Sequence, residues 1–220
     1  MKLMERKFGA NEKKGGEKVS KLISLLRHPK MEERFKASEE LVKIGKHAIE
    51  ELRRLLDDED WSIRWRVAYT IGRIGEKHKL NDEDVERIGK LTKDPDQNVR
   101  VWALKALKKI KFHKDVILKY LIEATKDDDP EVRKEAVGGL SHYETNEAVE
   151  RLEQLLEDED EEVRTISAWA LGMVGNHKTY EILIDRLKNE ESEKVAMMIK
   201  NAIFKLRKRY GVDYGYIGHA

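Results

Sequence analysis

Residues 96–107 read DQNVRVWALKAL, and the same pattern recurs along the 220 residues of the chain. In four copies an aspartate stands four residues before an arginine and an aliphatic residue stands directly before it. In all five copies a small or short residue follows the arginine by three positions, and an aliphatic residue follows it by seven. The five arginines are Arg34, Arg64, Arg100, Arg133 and Arg164. A repeat of about 32 residues is typical of stacked helical pairs, none of which buries its apolar face alone. The sequence therefore predicts an all-α fold, an α-solenoid of about six helical hairpins.

Composition narrows the class of protein. Charged residues make up 40% of the chain, there are three prolines, and the formal net charge is +1. This balance suits helices with long solvated faces. The absence of cysteine excludes disulfides and thiol chemistry. No apolar run reaches the length of a signal peptide at the N-terminus, or the roughly 18 residues of a membrane span anywhere. We therefore expect a cytoplasmic protein with no membrane partner.

The 3.6-residue period of the apolar residues divides the chain into six predicted hairpins. They cover residues 17–46, 47–76, 83–112, 114–143, 147–175 and 178–209. Residues 1–16 are predicted to form a flexible N-terminal arm, and residues 210–220 are predicted to form a C-terminal tail.

The second helix of each hairpin opens with a recognisable start signal. We predict that these helices begin at Met31, Trp61, Gln97, Pro130, Glu161 and Glu193. Before four of them stands an aspartate that can accept hydrogen bonds from the free amides of the first turn. Gly45, Gly75 and Gly175 follow the last apolar residue of a second helix and are predicted to form left-handed helix caps. The first helix of the second hairpin is predicted to run from His47 to Leu56.

The D-x-x-V-R frame at residues 96–100, followed by Ala and then Ala-Leu, resembles the HEAT-repeat superfamily, and in particular the PBS-lyase HEAT-like repeat. The resemblance covers roughly residues 17–209. It breaks at Lys30, which stands where the first repeat should have its aspartate, and at Ala196, which stands where the last should have its arginine. Terminal repeats face solvent on one side, so we interpret both departures as caps of the array.

In that family the arginine and aspartate of each turn tie neighbouring repeats together, so the resemblance implies a structural ladder. Its members here are Asp60, Arg64, Asp96, Arg100, Asp129, Arg133, Asp160 and Arg164. The alternative is that the series forms a charged track for a polyanion. The acidic turns, such as residues 157–160, look like calcium loops, but they lack the central glycine and terminal glutamate of an EF-hand. Helix capping is therefore the better interpretation.

The outward face of the second helices is the surface most informative about function. If the core takes positions three, seven and ten after each repeat arginine, helical geometry turns positions one, five and nine outward. The resemblance implies that this face lines the inner, concave side of the superhelix. It is rich in lysine, arginine and aromatic residues. The residues predicted to bind a partner are Phe35, Lys43, Trp65, Tyr69, Arg73, Lys105, Lys109 and Trp169.

A basic groove with exposed aromatic side chains suits a long, anionic or mixed partner. We therefore expect a non-enzymatic, monomeric scaffold with no cofactor or metal, which binds a protein or peptide along this groove. Nucleic-acid binding on the same groove is the alternative. A further alternative is that Trp65 or Trp169 packs between adjacent second helices, as Trp102 is expected to do.

Three enzyme families built from helical repeats offer catalytic alternatives. Deoxyhypusine hydroxylase resembles the chain in its repeats, but it relies on paired His-Glu dipeptides, and none of the seven histidines here is followed by glutamate. The bilin lyases resemble the chain in their scaffold units alone, and no residue set here carries their activity. Helical-repeat DNA glycosylases work from a concave basic face with tryptophans and a carboxylate. Trp65, Trp169 and Glu39 supply those residue types, and Tyr69 and Arg73 could support them.

Overall fold

A computed structural model describes residues 15–211, which form α-helices joined by turns and short 3-10 segments, with no β-strand in that range. The α-helices are α1 (15–25), α2 (Met31–Ile44), α3 (Ile49–Arg53), α4 (Trp61–Gly75), α5 (Asp82–Lys90), α6 (Gln97–Lys109), α7 (Lys114–Ala124), α8 (Pro130–Leu140), α9 (Asn146–Gln154), α10 (Glu161–Val174), α11 (His177–Asn189) and α12 (Glu193–Tyr210). Odd-numbered helices are the first helices of the hairpins, and even-numbered helices are the second.

All six second helices begin at the residue that the sequence predicts. Four of them are capped by an aspartate whose carboxylate accepts hydrogen bonds from amides of the first turn. Asp96, for example, accepts from the amides of Asn98 and Val99 at 2.8 and 3.3 Å. Pro130 stands at the first position of α8, where a helix needs no amide donor. Local sequence signals thus set where these helices start.

The first helices and the glycine caps follow the sequence less closely. The helix predicted from His47 to Leu56 is split into a 3-10 segment and the short α3. Gly45 has a positive φ of 71°, which glycine adopts most easily, but its ψ of −136° differs from that of a left-handed helix cap. The left-handed caps predicted at Gly75 and Gly175 are wrong, because Gly75 is the last residue of α4 and Gly175 has a φ of −59°. Glycine is favoured at position 75 because there is little room for a side chain: an added Cβ would lie 2.9 Å from Cγ1 of Ile110.

The core is built largely from the repeat positions that the sequence assigns to it. At ten positions after the repeat arginine, Ile74, Ile110 and Val174 are buried, but Ile44 and Tyr143 are only partly buried. The residues three positions after each repeat arginine are buried. The residues at seven positions are completely buried; they are Leu41, Ile71, Leu107, Leu140 and Leu171. Each such side chain stabilises the fold by about 1.5–3 kcal/mol relative to an exposed one. This periodic burial determines which face of each second helix looks outward.

The chain divides into two compact units between Ile117 and Leu118, within α7. In the first unit the second helices α2, α4 and α6 pack side by side in chain order. In the second unit α8, α10 and α12 do the same. The predicted α-solenoid of helical hairpins is thereby confirmed, and each unit has its own face of second helices.

The predicted arm and tail lie largely outside the described residues. Gly15 and Gly16, which the sequence assigned to the arm, are part of α1. Helix α12 ends at Tyr210, and Gly211 follows it with a left-handed φ of 62°. The amide of Gly211 donates to the carbonyl of Arg207 at 3.0 Å, which closes the last turn.

Arginine side chains join the turns of neighbouring hairpins within each unit. In the first unit Arg64 donates from Nε and Nη2 to the carboxylate of Asp94, each at 2.7 Å. In the second unit Arg133 makes the same two-point contact with Asp158, at 2.9 and 2.8 Å. Both arginines also donate from Nη1 to carbonyls of the turn before their own helix, and Arg100 does so to the carbonyl of Asp94. Charge-assisted, two-point hydrogen bonds of this kind fix the geometry of the turns that they connect.

The four aspartates predicted to join this ladder cap helices instead. They are Asp60, Asp96, Asp129 and Asp160. The carboxylates that receive the arginines stand two residues before a cap, as Asp94 and Asp158 do. Arg164 pairs with Glu190, which precedes α12 by a similar distance and replaces the aspartate of the other turns. The turns before α6 and α10 therefore use two aspartates, one for the helix amides and one for the arginine, whereas the turn before α12 combines Glu190 with a capping serine, Ser192.

Candidate functional site

Three aromatic rings form a cluster on the outward face of α4 and α6 in the first unit. Trp65 of α4 stacks on Trp102 of α6, with ring centroids 4.8 Å apart and an interplanar angle of 25°. Tyr69, one turn after Trp65, meets Trp102 edge-on at 5.0 Å. Stacked and edge-on pairs are the arrangements that the charge distribution of aromatic rings favours. All three side chains are only partly buried, so this ring cluster of Trp65, Tyr69 and Trp102 stays partly open to solvent.

Two cations lie over the tryptophans of the ring cluster. The Cζ atom of Arg66 is 4.5 Å from the ring centroid of Trp65. The Nζ atom of Lys105 is also 4.5 Å from the ring centroid of Trp102. Such cation–π contacts contribute about 0.5–2 kcal/mol, depending on how far the cation is desolvated. The cluster therefore presents aromatic surface and positive charge together.

Trp102 and Arg66 were not among the predicted contact residues. Sequence reasoning placed Trp102 between adjacent second helices, and the structure indeed puts it against Trp65 of the neighbouring helix, but with its ring partly exposed. A signal was present in the repeat, because Arg66 and Trp102 each follow a repeat arginine by two positions. Equivalent positions on adjacent helices lie side by side, so the two residues share one edge of the face.

Arg73, a predicted contact residue, is held by an ion pair. Its Nη1 donates to Oε1 of Glu39 at 2.7 Å, across the packed helices α2 and α4. The hydrogen bond to this carboxylate raises the pKa of the Arg73 guanidinium. Glu39 is the carboxylate on which the glycosylase-like alternative depends. In the structure this carboxylate is ion-paired with Arg73 of its own chain.

Two other predicted cations also meet carboxylates of their own chain. The Nζ of Lys43 lies 2.7 Å from a carboxylate oxygen of Glu40, and the Nζ of Lys109 lies 3.7 Å from one of Glu76. Lys105, in contrast, forms no ion pair with any residue between 15 and 211. The face of the first unit is thus less basic than its sequence suggests, and its uncompensated charge is concentrated near the ring cluster.

Arg66 and Arg34 are two further cations that form no ion pair within residues 15–211. Arg66 is only 6% exposed, and its Nη1 donates to the carbonyl of Ser62 at 2.7 Å. Burial, reinforced by the neighbouring charge of Arg34 and partly offset by the carboxylate of Asp60, lowers the pKa of Arg66 to about 10, so the guanidinium stays charged at neutral pH. The Nε of Arg34 is buried without a hydrogen-bond acceptor.

The remaining predicted contact residues are Phe35 and Trp169. Phe35 of α2 is 62% exposed, so its ring is available to a partner of the first unit. Trp169 of α10 belongs to the second unit, where it is 37% exposed and Met173, one turn later, is also exposed. Each unit therefore carries its own part of the predicted set.

Residues 15–211 include no group of three or more histidine, aspartate or glutamate side chains placed to hold a metal ion. Over the same residues, none of the helices combines the length and the apolar character needed to cross a membrane.

The paired helices and the arginine ladder define an α-helical repeat protein. The family model described as HEAT repeats matches residues 19–85 and 117–203, which is more than half of the chain. The protein therefore belongs to the HEAT-repeat family, as the D-x-x-V-R frame predicted. No sequence among the curated proteins matches it.

Solved structures of repeat proteins share this fold. An engineered protein matches with a TM-score of 0.55 at 21% identity, over 86% of this chain and 96% of that one. A designed armadillo repeat protein in complex with the peptide (KR)4 matches with a TM-score of 0.55 at 22% identity, over 86% of this chain and 99% of that one. A chain from the complex of CpcE and CpcF of phycocyanin lyase from a Nostoc species matches with a TM-score of 0.45 at 18% identity, over 84% of this chain and 96% of that one. The first two show a common fold at these identities, and the third is too dissimilar to support an argument.

Proposed function

We propose that this protein is a non-enzymatic scaffold that binds a protein segment on the second-helix face of its first unit, at the ring cluster. The observation that carries the proposal is the partly exposed Trp65–Trp102 stack with a cation over each ring. Aromatic and arginine side chains are the residue types that contribute most to protein interfaces. The proposed contact residues of this face are Phe35, Lys43, Trp65, Tyr69, Arg73, Trp102, Lys105 and Lys109. Trp169 is proposed as a contact residue of the second unit.

The geometry of the ring cluster favours a protein segment over a nucleic acid. A nucleobase binds by stacking on a free ring face, but Trp65 and Trp102 stack on each other and each has a cation over it. A nucleic-acid backbone also needs several free cations along its length, and three of the four predicted cations of this face are ion-paired within the chain. The fold itself is compatible with a peptide ligand, since the designed armadillo repeat protein was solved with one.

Selection from a random peptide library displayed on phage tests the proposal. The wild-type protein should enrich peptides that Trp102→Ala binds weakly, because this substitution removes one partner of the stack. Trp61→Ala is the matched control, since Trp61 is an exposed tryptophan of the same unit that makes no ring contact with the cluster within residues 15–211. Its substitution should leave the enriched peptides bound. A selection without enriched sequences, or an equal loss in both variants, would contradict the proposal.

Two further assays decide between this proposal and its alternatives. Mixed oligonucleotides, titrated by fluorescence anisotropy at two salt concentrations, should not bind; an affinity that falls steeply as salt rises would assign the face to nucleic acid instead. Incubation with alkylated DNA should release no free base. Release that disappears in Glu39→Gln would instead assign a glycosylase activity to this face.

A further inference from the structure

The arginine ladder of the first unit is incomplete at its first member, Arg34. Arg64 fills both Nε and Nη2 with the carboxylate of Asp94, which stands two residues before the next helix cap. The equivalent carboxylate for Arg34 is Asp58, but both Nη groups of Arg27 bind Asp58 instead. The Nε of Arg34 is left buried without an acceptor, and Arg34 forms no ion pair with any residue from 15 to 211.

A second arginine that forms no ion pair within residues 15–211 lies near Arg34. Arg66 is more than nine-tenths buried, and the acceptor of its hydrogen bond is the carbonyl of Ser62 rather than an acidic side chain. The charge of Arg34 is close enough to act with burial, the larger effect, in lowering the pKa of Arg66. The carboxylate of Asp60 acts on this pKa in the opposite direction, but it forms no hydrogen bond or ion pair with Arg66. An anion bound directly to the two guanidinium groups would therefore still stabilise them in their partly desolvated surroundings.

Arg66 also connects this pair to the ring cluster. Its guanidinium lies over Trp65, and Trp65 stacks on Trp102. Helices α2 and α4, which carry Arg34 and Arg66, pack directly on each other. An anion held by the two arginines would therefore lie at the edge of the proposed binding face, beside the rings.

We infer that Arg34 and Arg66 bind a carboxylate of the partner, so that the protein segment on the ring cluster is an acidic one. This inference rests on the proposed function and adds the chemistry of the partner to it. Guanidinium groups bind carboxylates through hydrogen bonds from their N–H groups, as Arg64 does with Asp94. The Nε of Arg34 is buried, so its Nη groups are the donors that a partner's carboxylate would meet. Lys105, over Trp102, supplies a third uncompensated cation for such a segment.

The distribution of charge favours a carboxylate over the phosphates of a nucleic acid. The cations identified near this face that form no ion pair within residues 15–211 are Arg34, Arg66 and Lys105. Binding a polynucleotide instead requires a row of cations that follows its backbone. Elsewhere on the face, Arg73 is balanced by Glu39. A short acidic segment fits this local excess of charge, and a long polyanion does not.

Three fluorescein-labelled peptides test the inference by anisotropy: one alternates Glu and Tyr, one alternates Gln and Tyr, and one alternates Lys and Arg. The wild-type protein should bind the Glu-Tyr peptide about tenfold more tightly than the Gln-Tyr peptide and should not bind the Lys-Arg peptide. Arg34→Met and Arg66→Met should each weaken the Glu-Tyr peptide by about tenfold and leave the Gln-Tyr peptide unchanged. Arg54→Met is the control, because Arg54 is an exposed arginine of the same unit and its loss changes the net charge equally.

Thermal unfolding separates a binding role from a folding defect. Arg34→Met should unfold at a midpoint no lower than that of the wild type, because it removes a cation that has no partner. At the same concentration the Glu-Tyr peptide should raise the midpoint of the wild type more than that of Arg34→Met. A lowered midpoint in Arg34→Met would show that the arginine is needed for the fold, and the inference would be overturned.

Failure of this inference and failure of the proposed function give different results. Equal binding of the Glu-Tyr and Gln-Tyr peptides, lost in Trp102→Ala, would overturn the acidic partner and keep the binding face. A mixed oligonucleotide that binds when the peptides do not, and is released by Arg34→Met, would assign the arginine pair to phosphate and overturn both. If none of the three peptides binds, the acidic partner is overturned. The proposed binding face is then tested by the phage-selected peptides alone.

Discussion

Arg64 and Asp94 form a two-point ion pair in which the Nε and Nη2 atoms each lie 2.7 Å from a carboxylate oxygen. The pair joins the start of α4 to the turn before α6, and both side chains are largely buried. A charge left alone in such a place costs more than the pair contributes, because its desolvation is no longer offset.

We therefore expect Arg64→Met and Asp94→Asn each to lower the free energy of unfolding by about 3–5 kcal/mol. The double variant should lose less than the sum of the two, because neither charge is then left unpaired. Urea denaturation of the four proteins measures this coupling. Arg54→Met, which removes an exposed arginine, should cost less than about 1 kcal/mol. A cost at Arg64 as small as that at Arg54 would show that the ladder does not stabilise the stack.

The ion pairs of Glu190 with Arg164 and Arg186, in the second unit, should be sensitive to acid. Burial acts to raise the pKa of Glu190, but the amide of Ser192 and the guanidinium groups of Arg164 and Arg186 outweigh it, so the pKa lies below its ordinary value of 4.5. A carboxylate whose pKa is lowered on folding stabilises the fold above its unfolded-state pKa, and this contribution is lost as pH falls through the folded-state pKa.

Glu190→Gln should therefore lower the free energy of unfolding by about 3 kcal/mol at neutral pH and flatten its decline below pH 4.5. Unfolding followed by circular dichroism across the acid range measures both effects. The exposed neighbour Glu191 supplies the control, since Glu191→Gln should leave the pH dependence as it is in the wild type. Parallel curves for the wild type and Glu190→Gln would contradict the assignment.

Gly72 of α4 lies against α6, where the two helices are too close together to accommodate a side chain. A Cβ at this position would lie 2.7 Å from both Cα and the carbonyl oxygen of Ala106, and backbone atoms cannot move aside as a flexible side chain can. Gly72→Ala should therefore destabilise the protein by about 1–3 kcal/mol, although alanine is the better helix former. Gly16→Ala is the matched control, because a Cβ there meets nothing within 4 Å and should stabilise α1 by up to about 1 kcal/mol. The unfolding midpoints of the two variants should move in opposite directions.

The sequence was sufficient for the features that depend on neighbours along the chain. The capping aspartates and Pro130 predicted the first residue of four of the six second helices, because a cap acts within one turn. The repeat spacing likewise identified the buried positions, since the 3.6-residue period relates each of them to its arginine. Gly72 could not be explained from neighbours along the chain. Glycine is required at this position because the backbone of Ala106, on another helix, leaves no room for a side chain.

The candidate site was harder to predict, because its properties arise between helices. The cationic character of Arg73 is clear in the sequence, but its pairing with Glu39 depends on the packing of α2 against α4. The Trp65–Trp102 stack likewise depends on how α4 and α6 are aligned. Periodicity gives the outward face of one helix and does not give its register against the next. The predicted contact residues therefore included ion-paired cations and omitted Arg66 and Trp102.

The Arg73–Glu39 pair yields a prediction about binding. Glu39→Gln removes the carboxylate that occupies Arg73 and frees this guanidinium for a partner on the same face. We expect the variant to bind the Glu-Tyr peptide up to about fivefold more tightly than the wild type, since a partly exposed charge pair contributes about 0.2–1 kcal/mol. Glu33→Gln is the matched control, because Glu33 also lies on α2, is about as exposed and pairs with Lys36. Its substitution changes the net charge equally but frees no cation beside the rings. The same gain in both variants would mean that overall charge alone tunes the affinity, and weaker binding in Glu39→Gln would mean that Arg73 must be held in place for the partner to bind.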